Sequence, residues 1–120
     1  MALPTGDWTI DANGFRGTMT IRGINAAGNL DASLVIDAPR VDQMIGFWAD
    51  VAKKITFIRV LNPEDPSANQ IYTGFYSNNE RDQPTDVTHT LSGFFEAFQG
   101  TGGIAERVLY GWAADITIPG

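Results

Sequence analysis

The chain of 120 residues contains no cysteine, which excludes disulfides, thiol nucleophiles and thiolate metal sites. Lysine and arginine number only 8 against 14 acidic residues, and the resulting net charge of −6 repels phosphate backbones. No window approaches the roughly 20 consecutive apolar residues of a membrane-spanning helix. Neither nucleic acid nor a membrane is therefore expected as a partner.

Catalytic and metal-binding patterns are also scarce. His89 is the only histidine, so no Ser-His-Asp set is predicted. The aspartates are scattered rather than spaced as in a calcium loop, and Gly100–Gly103 lacks the Lys-Ser/Thr sequel of a phosphate-binding loop. We expect no metal, no cofactor and no catalytic residue on these grounds. The first residues lack the basic and apolar stretches of a signal peptide, which favours the cytoplasm.

What the chain does contain is a series of β-branched and aromatic runs separated by glycine, proline and asparagine. One short helical turn is predicted at Arg40–Gln43, and Gly100–Gly103 is predicted as a flexible loop. The runs predict eight strands: Asp7–Asp11, Gly17–Ile24, Asn29–Ile36, Met44–Asp50, Lys54–Leu61, Asn69–Ser77, Thr88–Phe98 and Val108–Ile118. Short connections without a crossover helix favour a single all-β domain over residues 1–120, an eight-stranded antiparallel up-and-down barrel. A two-sheet Greek-key sandwich is the alternative.

Two of the strands are apolar on both faces. Met44–Ala49 is one, and Val108–Ile116 is the other. A barrel strand that faced water on its outside would alternate apolar and polar residues, so a continuous apolar strand implies contact with a partner. The sequence therefore predicts a homo-oligomer, either a dimer or a tetramer.

Several short motifs occur in a fixed order along the chain: Thr5-Gly6-x-Trp8-Thr9-x-Asp11, Met19-Thr20-Ile21, Asn25-x-x-Gly28 and Ile71-Tyr72-Thr73-Gly74. This order resembles the avidins, members of the calycin group of eight-stranded barrels, to which the lipocalins are also similar. The resemblance implies a meander barrel that binds biotin in its open end and associates through its outer face. It also implies that the Trp8 indole packs across the closed end, under a basic side chain from Arg107 or Arg59.

At most biotin-contacting positions this chain departs from the family. The resemblance places Ile10, Leu34, Ile36 and Leu61 where avidins carry polar or indole contacts, whereas Tyr72 and either Asp115 or Thr117 match the family's residue types. Each unsatisfied ureido group would cost about 1–3 kcal/mol. High-affinity biotin binding is therefore expected to be lost, and the ligand is expected to be a small hydrophobic or biotin-like molecule.

Together these considerations predict one group of ligand-binding residues: Ile10, Leu34, Ile36, Trp48, Arg59, Tyr72, Trp112 and Asp115. For Trp48 and Trp112, a position in the core or at a subunit interface remains open. Arg59 is either solvated or points inward, where it would pair with Asp115 or bind an acidic ligand. Asp115 is either a ligand contact or a solvated residue.

Three classes of function follow from this pattern. The leading one is a non-enzymatic barrel that binds a small molecule. The second is a barrel enzyme of isomerase or cyclase type that encloses a hydrophobic substrate, with Asp115, Glu96 or Tyr72 as acid or base. The third is a carbohydrate or protein recognition module that uses the loops near Trp48 and Ser77–Asn79.

Overall fold

The computed structural model describes the backbone of residues 3–101 and 104–120 and the side chains of residues 3–97 and 107–120. No helix in this part of the chain is long and apolar enough to cross a membrane. Two single-turn 3₁₀ helices lie at Pro66–Ala68 and Glu80–Asp82. The strands are β1 (Gly6–Ala12), β2 (Phe15–Ile24), β3 (Leu30–Val35), β4 (Asp42–Ala49), β5 (Lys54–Val60), β6 (Gln70–Asn78), β7 (Val87–Thr101) and β8 (Ile104–Ile118).

The strands form a closed antiparallel barrel in which each strand pairs with the next one in sequence. The barrel closes where β1 pairs with β8, for example at Ile10 and Ala114. Closure leaves no long unpaired edge in the barrel wall. The predicted eight-stranded meander is confirmed, and the sandwich alternative is wrong.

The β2–β3 connection shows why the turn residues were informative. Asn25 and Gly28 close a turn in which the Gly28 amide donates to the Asn25 carbonyl at 2.9 Å. The Asn25 side-chain oxygen also accepts from the amides of Ala27 and Asn29. Gly28 has φ +90°, a conformation that only glycine adopts without strain. A tight turn therefore joins β2 and β3 as a hairpin.

The predicted helical turn at Arg40–Gln43 is wrong. β4 begins at Asp42, which pairs with Leu34 of β3. Pairing with β3 supplies Asp42 and Gln43 with ladder partners, so the segment is extended rather than helical. In the predicted Gly100–Gly103 loop, Gly100 and Thr101 belong to β7, while residues 102 and 103 lie outside the described residues.

The barrel interior is filled in layers that follow the strand register. In one layer Gly74 pairs with Gly93, and Gly93 pairs with Trp112. The indole of Trp112 lies over Gly74, because a Cβ on Gly74 would stand 2.4 Å from its ring. The Trp112 Nε1 donates to the carbonyls of Thr73 at 3.0 Å and Phe94 at 3.2 Å. This ring therefore packs inside the barrel against β6 and β7.

Trp8 lies near the end of the barrel at which β1 begins. Its side chain is fully buried, and its Nε1 donates to the Pro4 carbonyl at 3.1 Å, so the segment before β1 folds back against the indole. The expected cover by Arg59 is wrong, because Arg59 is ion-paired near the opposite end of the barrel. Arg107 lies eight residues along β8 from Asp115, the partner of Thr9, and at about 3.3 Å per residue it is far from Trp8.

Candidate functional site

A cavity of about 290 Å³ opens at the end of the barrel where β1 ends and β2 begins. We call it the mouth cavity. Its apolar wall comes mainly from β1, β7 and β8 and from the segment after β3, and its polar wall comes from β5 and β6. The residues that line it are Ala12, Asn13, Phe15, Ile36, Asp37, Arg59, Gln70, Tyr72, Phe95, Ala97 and Tyr110.

A layer of four aromatic rings lies at the base of the mouth cavity. Phe57, Tyr72, Phe95 and Tyr110 are consecutive register partners on β5 to β8. Phe57 and Phe95 stack on the two sides of Tyr72, with ring centroids 4.7 and 4.6 Å away. Because inner-facing partners on neighbouring strands stand about 5 Å apart, planar side chains at these positions stack. Three rings of this layer, those of Tyr72, Phe95 and Tyr110, line the mouth cavity.

Two residues further towards the opening along β5 and β6, the inner face becomes polar. Arg59 of β5 and Gln70 of β6 are register partners. The Arg59 Nε donates to Asp42 Oδ2 at 2.7 Å, and the side chains of this pair are only 6% and 3% exposed. Asp42 also binds the guanidinium of Arg40 at 3.0 Å, and Arg40 in turn contacts Asp37 at 3.3 Å. Two cations and two carboxylates thus balance at the mouth.

Gln70 connects this ion pair to the aromatic layer. Its Oε1 accepts from Arg59 Nη1 at 3.1 Å and from the Tyr72 hydroxyl at 2.8 Å. Since a guanidinium can only donate, the atom of Gln70 that faces it must be the amide oxygen. Burial raises the pKa of the Tyr72 phenol above its ordinary value, so the hydroxyl stays protonated and donates at neutral pH.

A second cavity of about 480 Å³ lies at the opposite end of the barrel, between Leu3, the β2–β3 turn and the end of β4. There the Trp48 Nε1 donates to Asp50 Oδ1 at 3.1 Å, and Lys53 binds the same oxygen at 3.4 Å. The indole hydrogen bond, followed by the Lys53 charge, lowers the pKa of the Asp50 carboxyl. Trp48 is buried against Tyr76 in an edge-to-face contact.

The structure brings together only part of the predicted site. Ile36, Arg59 and Tyr72 line the mouth cavity, whereas Ile10 and Leu34 are fully buried core residues. Of the other predicted residues, Trp48 lies at the opposite end, Trp112 fills the interior, and Asp115 is exposed on the outer face.

The expected pairing of Arg59 with Asp115 is wrong, because Arg59 points inward and pairs with Asp42. Asp115 and Glu96 both stand at outward positions of their strands, next to the inward Ala114 and Phe95. Neither carboxylate reaches the mouth cavity. Of the three proposed acid–base residues, only Tyr72 lies there.

Sequence reasoning missed Asp42 and Gln70. Each has a recognisable signal, since each stands two residues before an inward-facing residue of its own strand, Met44 and Tyr72 respectively. With period-2 alternation, both side chains must point inward. A polar residue at an inward position near a barrel opening is the pattern that marks this cluster.

Fold and cavity together define an eight-stranded antiparallel barrel with a small, partly polar recess at one end. Among the described residues, no group of three or more His, Asp or Glu side chains is placed to hold a metal ion. Compared with known proteins, the chain matches no family model, no curated protein and no solved structure.

Proposed function

We propose that this protein is a non-enzymatic barrel, built on an avidin-like plan, that binds a small molecule of largely apolar body in the mouth cavity. The observation that carries the proposal is the position of the recess. Next to the stacked aromatic layer, it combines apolar walls such as Ile36 and Phe95 with the polar groups of Arg59 and Gln70. A mostly apolar recess with a few fixed polar groups is the usual form of a small-molecule site.

Binding of biotin in the manner of the avidins does not fit this barrel. Ile10 and Leu34, which stand where avidins contact the ureido group, are fully buried and apolar. A ureido group placed against them would lose hydrogen bonds worth about 1–3 kcal/mol each. We expect calorimetric titration with biotin to give no binding at nanomolar concentrations, and a nanomolar Kd would overturn this part of the proposal.

The site is tested by filling it. Ala97 lies at an inward position of β7 and lines the mouth cavity, so Ala97→Phe would occupy much of its volume. Toluene, phenol and benzamide are titrated into the ¹⁵N-labelled protein, and amide shifts are followed at Ala12, Ile36 and Gln70. We expect at least one probe to shift these amides in the natural protein and none to do so in Ala97→Phe.

The matched control is Thr9→Phe, which adds the same ring at an exposed position on the outer face of β1. This variant should bind as the natural protein does. If no probe moves the mouth amides, or if Ala97→Phe binds as well as Thr9→Phe, the mouth cavity is not the binding site.

We also propose that a second copy of this chain covers the outer face of β4 to β8. Ile45, Ile58, Phe47, Phe75, Phe94 and Leu109 point outward there, and each is 38–60% exposed. At roughly 200 Å² for a large apolar side chain, their exposed parts amount to about 600 Å². This is at the upper limit for an uncovered patch on a monomer. It approaches the ~800 Å² that each partner buries in a stable interface.

Native mass spectrometry tests the assembly. Phe94→Glu places a charge in the patch and should convert an oligomer into a monomer, because a buried unpaired carboxylate is strongly disfavoured. Val51→Glu is the control, since Val51 is fully exposed in the β4–β5 turn and outside the patch. A natural protein that is monomeric at all concentrations, or dissociation by both variants alike, would refute the proposed interface.

A further inference from the structure

We infer that the mouth cavity selects an uncharged ring compound that carries a hydrogen-bond acceptor, such as an aromatic carboxamide. This inference rests on the proposed small-molecule function and adds the chemical class of the ligand. It is argued from the free donors at the polar wall, the balance of charge around them, and the size and lining of the cavity.

At the polar wall, the groups left for a ligand are donors. The Asp42 carboxylate is occupied by Arg59 and Arg40, and the Gln70 Oε1 is occupied by Arg59 and Tyr72. Within the described side chains, the Gln70 amide NH₂ has no protein acceptor, although Gln70 is only half-buried and lines the cavity. A ligand oxygen placed at Gln70 would therefore complete the hydrogen bonding of this wall.

Charge balance disfavours an ionic ligand. The positive charge of Arg59 is already matched by Asp42 in a pair that is almost fully buried. A carboxylate ligand would sit beside Asp42 without a free cation of its own, and a cationic ligand would meet Arg59 at close range. Removing an uncompensated charge from water is costly in either case. An uncharged acceptor avoids both penalties.

The cavity dimensions favour a single ring. Its volume of about 290 Å³ equals that of about ten water molecules at about 30 Å³ each. Aromatic side chains from three strands, Phe15, Phe95 and Tyr110, line it opposite or beside the polar wall. Phe15 is 65% exposed, so a ring that covered it would also remove apolar surface from water.

Three probes of nearly the same shape separate the effect of ligand charge from that of a hydrogen-bond acceptor. Benzamide is neutral, benzoate is an anion, and benzamidinium is a cation with donors only. Each is titrated into ¹⁵N-labelled protein, with the side-chain NH₂ signals of Gln70 as the direct readout. We expect benzamide to shift these signals and to bind at least about tenfold more tightly than either ion, since one mismatched buried hydrogen bond costs about that factor.

The variant Gln70→Glu sharpens the test, because a glutamate still accepts from Arg59 and Tyr72 but has no NH₂ group to donate. We expect it to keep the fold, to lose benzamide binding at least about tenfold, and to bind benzamidinium better than benzamide. Dispersed amide signals verify that the variant is folded. Thr9→Phe changes only the outer face, so this variant should bind the three probes in the same order of affinity as the natural protein.

The outcomes distinguish this inference from the proposed function. If toluene or benzoate moves the mouth amides as strongly as benzamide, the cavity binds small molecules but the ligand class is wrong. If Gln70→Glu binds the three probes in the same order of affinity as the natural protein, the proposed role of the Gln70 NH₂ group is likewise refuted. If no single-ring probe moves the mouth amides, the proposed function itself fails.

Discussion

Replacement of Asp42 by asparagine should destabilise the protein by about 3–5 kcal/mol, the usual cost of removing one partner from a buried ion pair. Asp42 and Arg59 are 2.7 Å apart, where Coulomb attraction at an effective dielectric constant of 20 is about 6 kcal/mol. Desolvation of two buried ions offsets most of that attraction, so the intact pair contributes little net stability. The variant keeps the desolvation cost of Arg59 and loses the attraction.

Urea unfolding measures the effect, with Asp31→Asn as the matched control. Asp31 pairs with Arg22 at 3.1 Å, but the Arg22 and Asp31 side chains are 50% and 72% exposed. Loss of that surface pair should cost at most about 1 kcal/mol. The double variant Asp42→Leu, Arg59→Met should recover most of the loss, because it leaves no buried charge. Equal effects of Asp42→Asn and Asp31→Asn would refute this reasoning.

Two further predictions concern the barrel interior. Gly74→Ala should lower the free energy of unfolding in urea by about 1–3 kcal/mol, because its Cβ would stand 2.4 Å from the Trp112 ring. Gly23→Ala is the control and should retain near-natural stability, because a Cβ at Gly23 would meet no atom within 4 Å. Burial raises the pKa of the Tyr72 phenol in the folded state. The contribution of the protonated phenol to the free energy of unfolding is therefore complete below about pH 10, and it is lost as the pH rises above that value. Tyr72→Phe should therefore lose less stability than the natural protein between pH 9 and pH 11, and an identical loss would contradict the buried position of the phenol.

The strands were predictable because their residues alternate with period 2 and are bounded by recognisable turns. β2 is an example, since Met19 and Ile21 are buried and the residues next to them, Thr18, Thr20 and Arg22, are more exposed. Its turn to β3 was equally readable, since Asn25 and Gly28 provide the side-chain acceptor and the positive φ that the turn requires. Local chemistry decides such features, and local chemistry is visible in a sequence.

The polar cluster was not predictable in the same way. The interpretation of Arg40–Gln43 as a helical turn removed Asp42 from the strand in which its inward position could be recognised. For Arg59 the sequence leaves an inward and a solvated position open, and the partner of an inward Arg59 depends on which strand lies beside β5. That neighbour is β4, so the nearest carboxylate is Asp42 rather than Asp115 of β8. Pairing across strands is a property of the closed barrel and not of any segment.

The two sides of the mouth have different chemistry, and this difference gives a ligand one orientation. Arg59 and Gln70 form the polar wall on β5 and β6, whereas Ile36 and Ala12 form an apolar wall on the β1–β3 side of the opening. The apolar side chains of Ile10 and Leu34 belong to the packed core, below the mouth cavity. Arg59 and Gln70 thus offer hydrogen bonds to a ligand from one wall, while Asn13 and Asp37 add polar groups beside the other. A ligand bound there would direct its acceptor towards Gln70 and its ring towards Ile36.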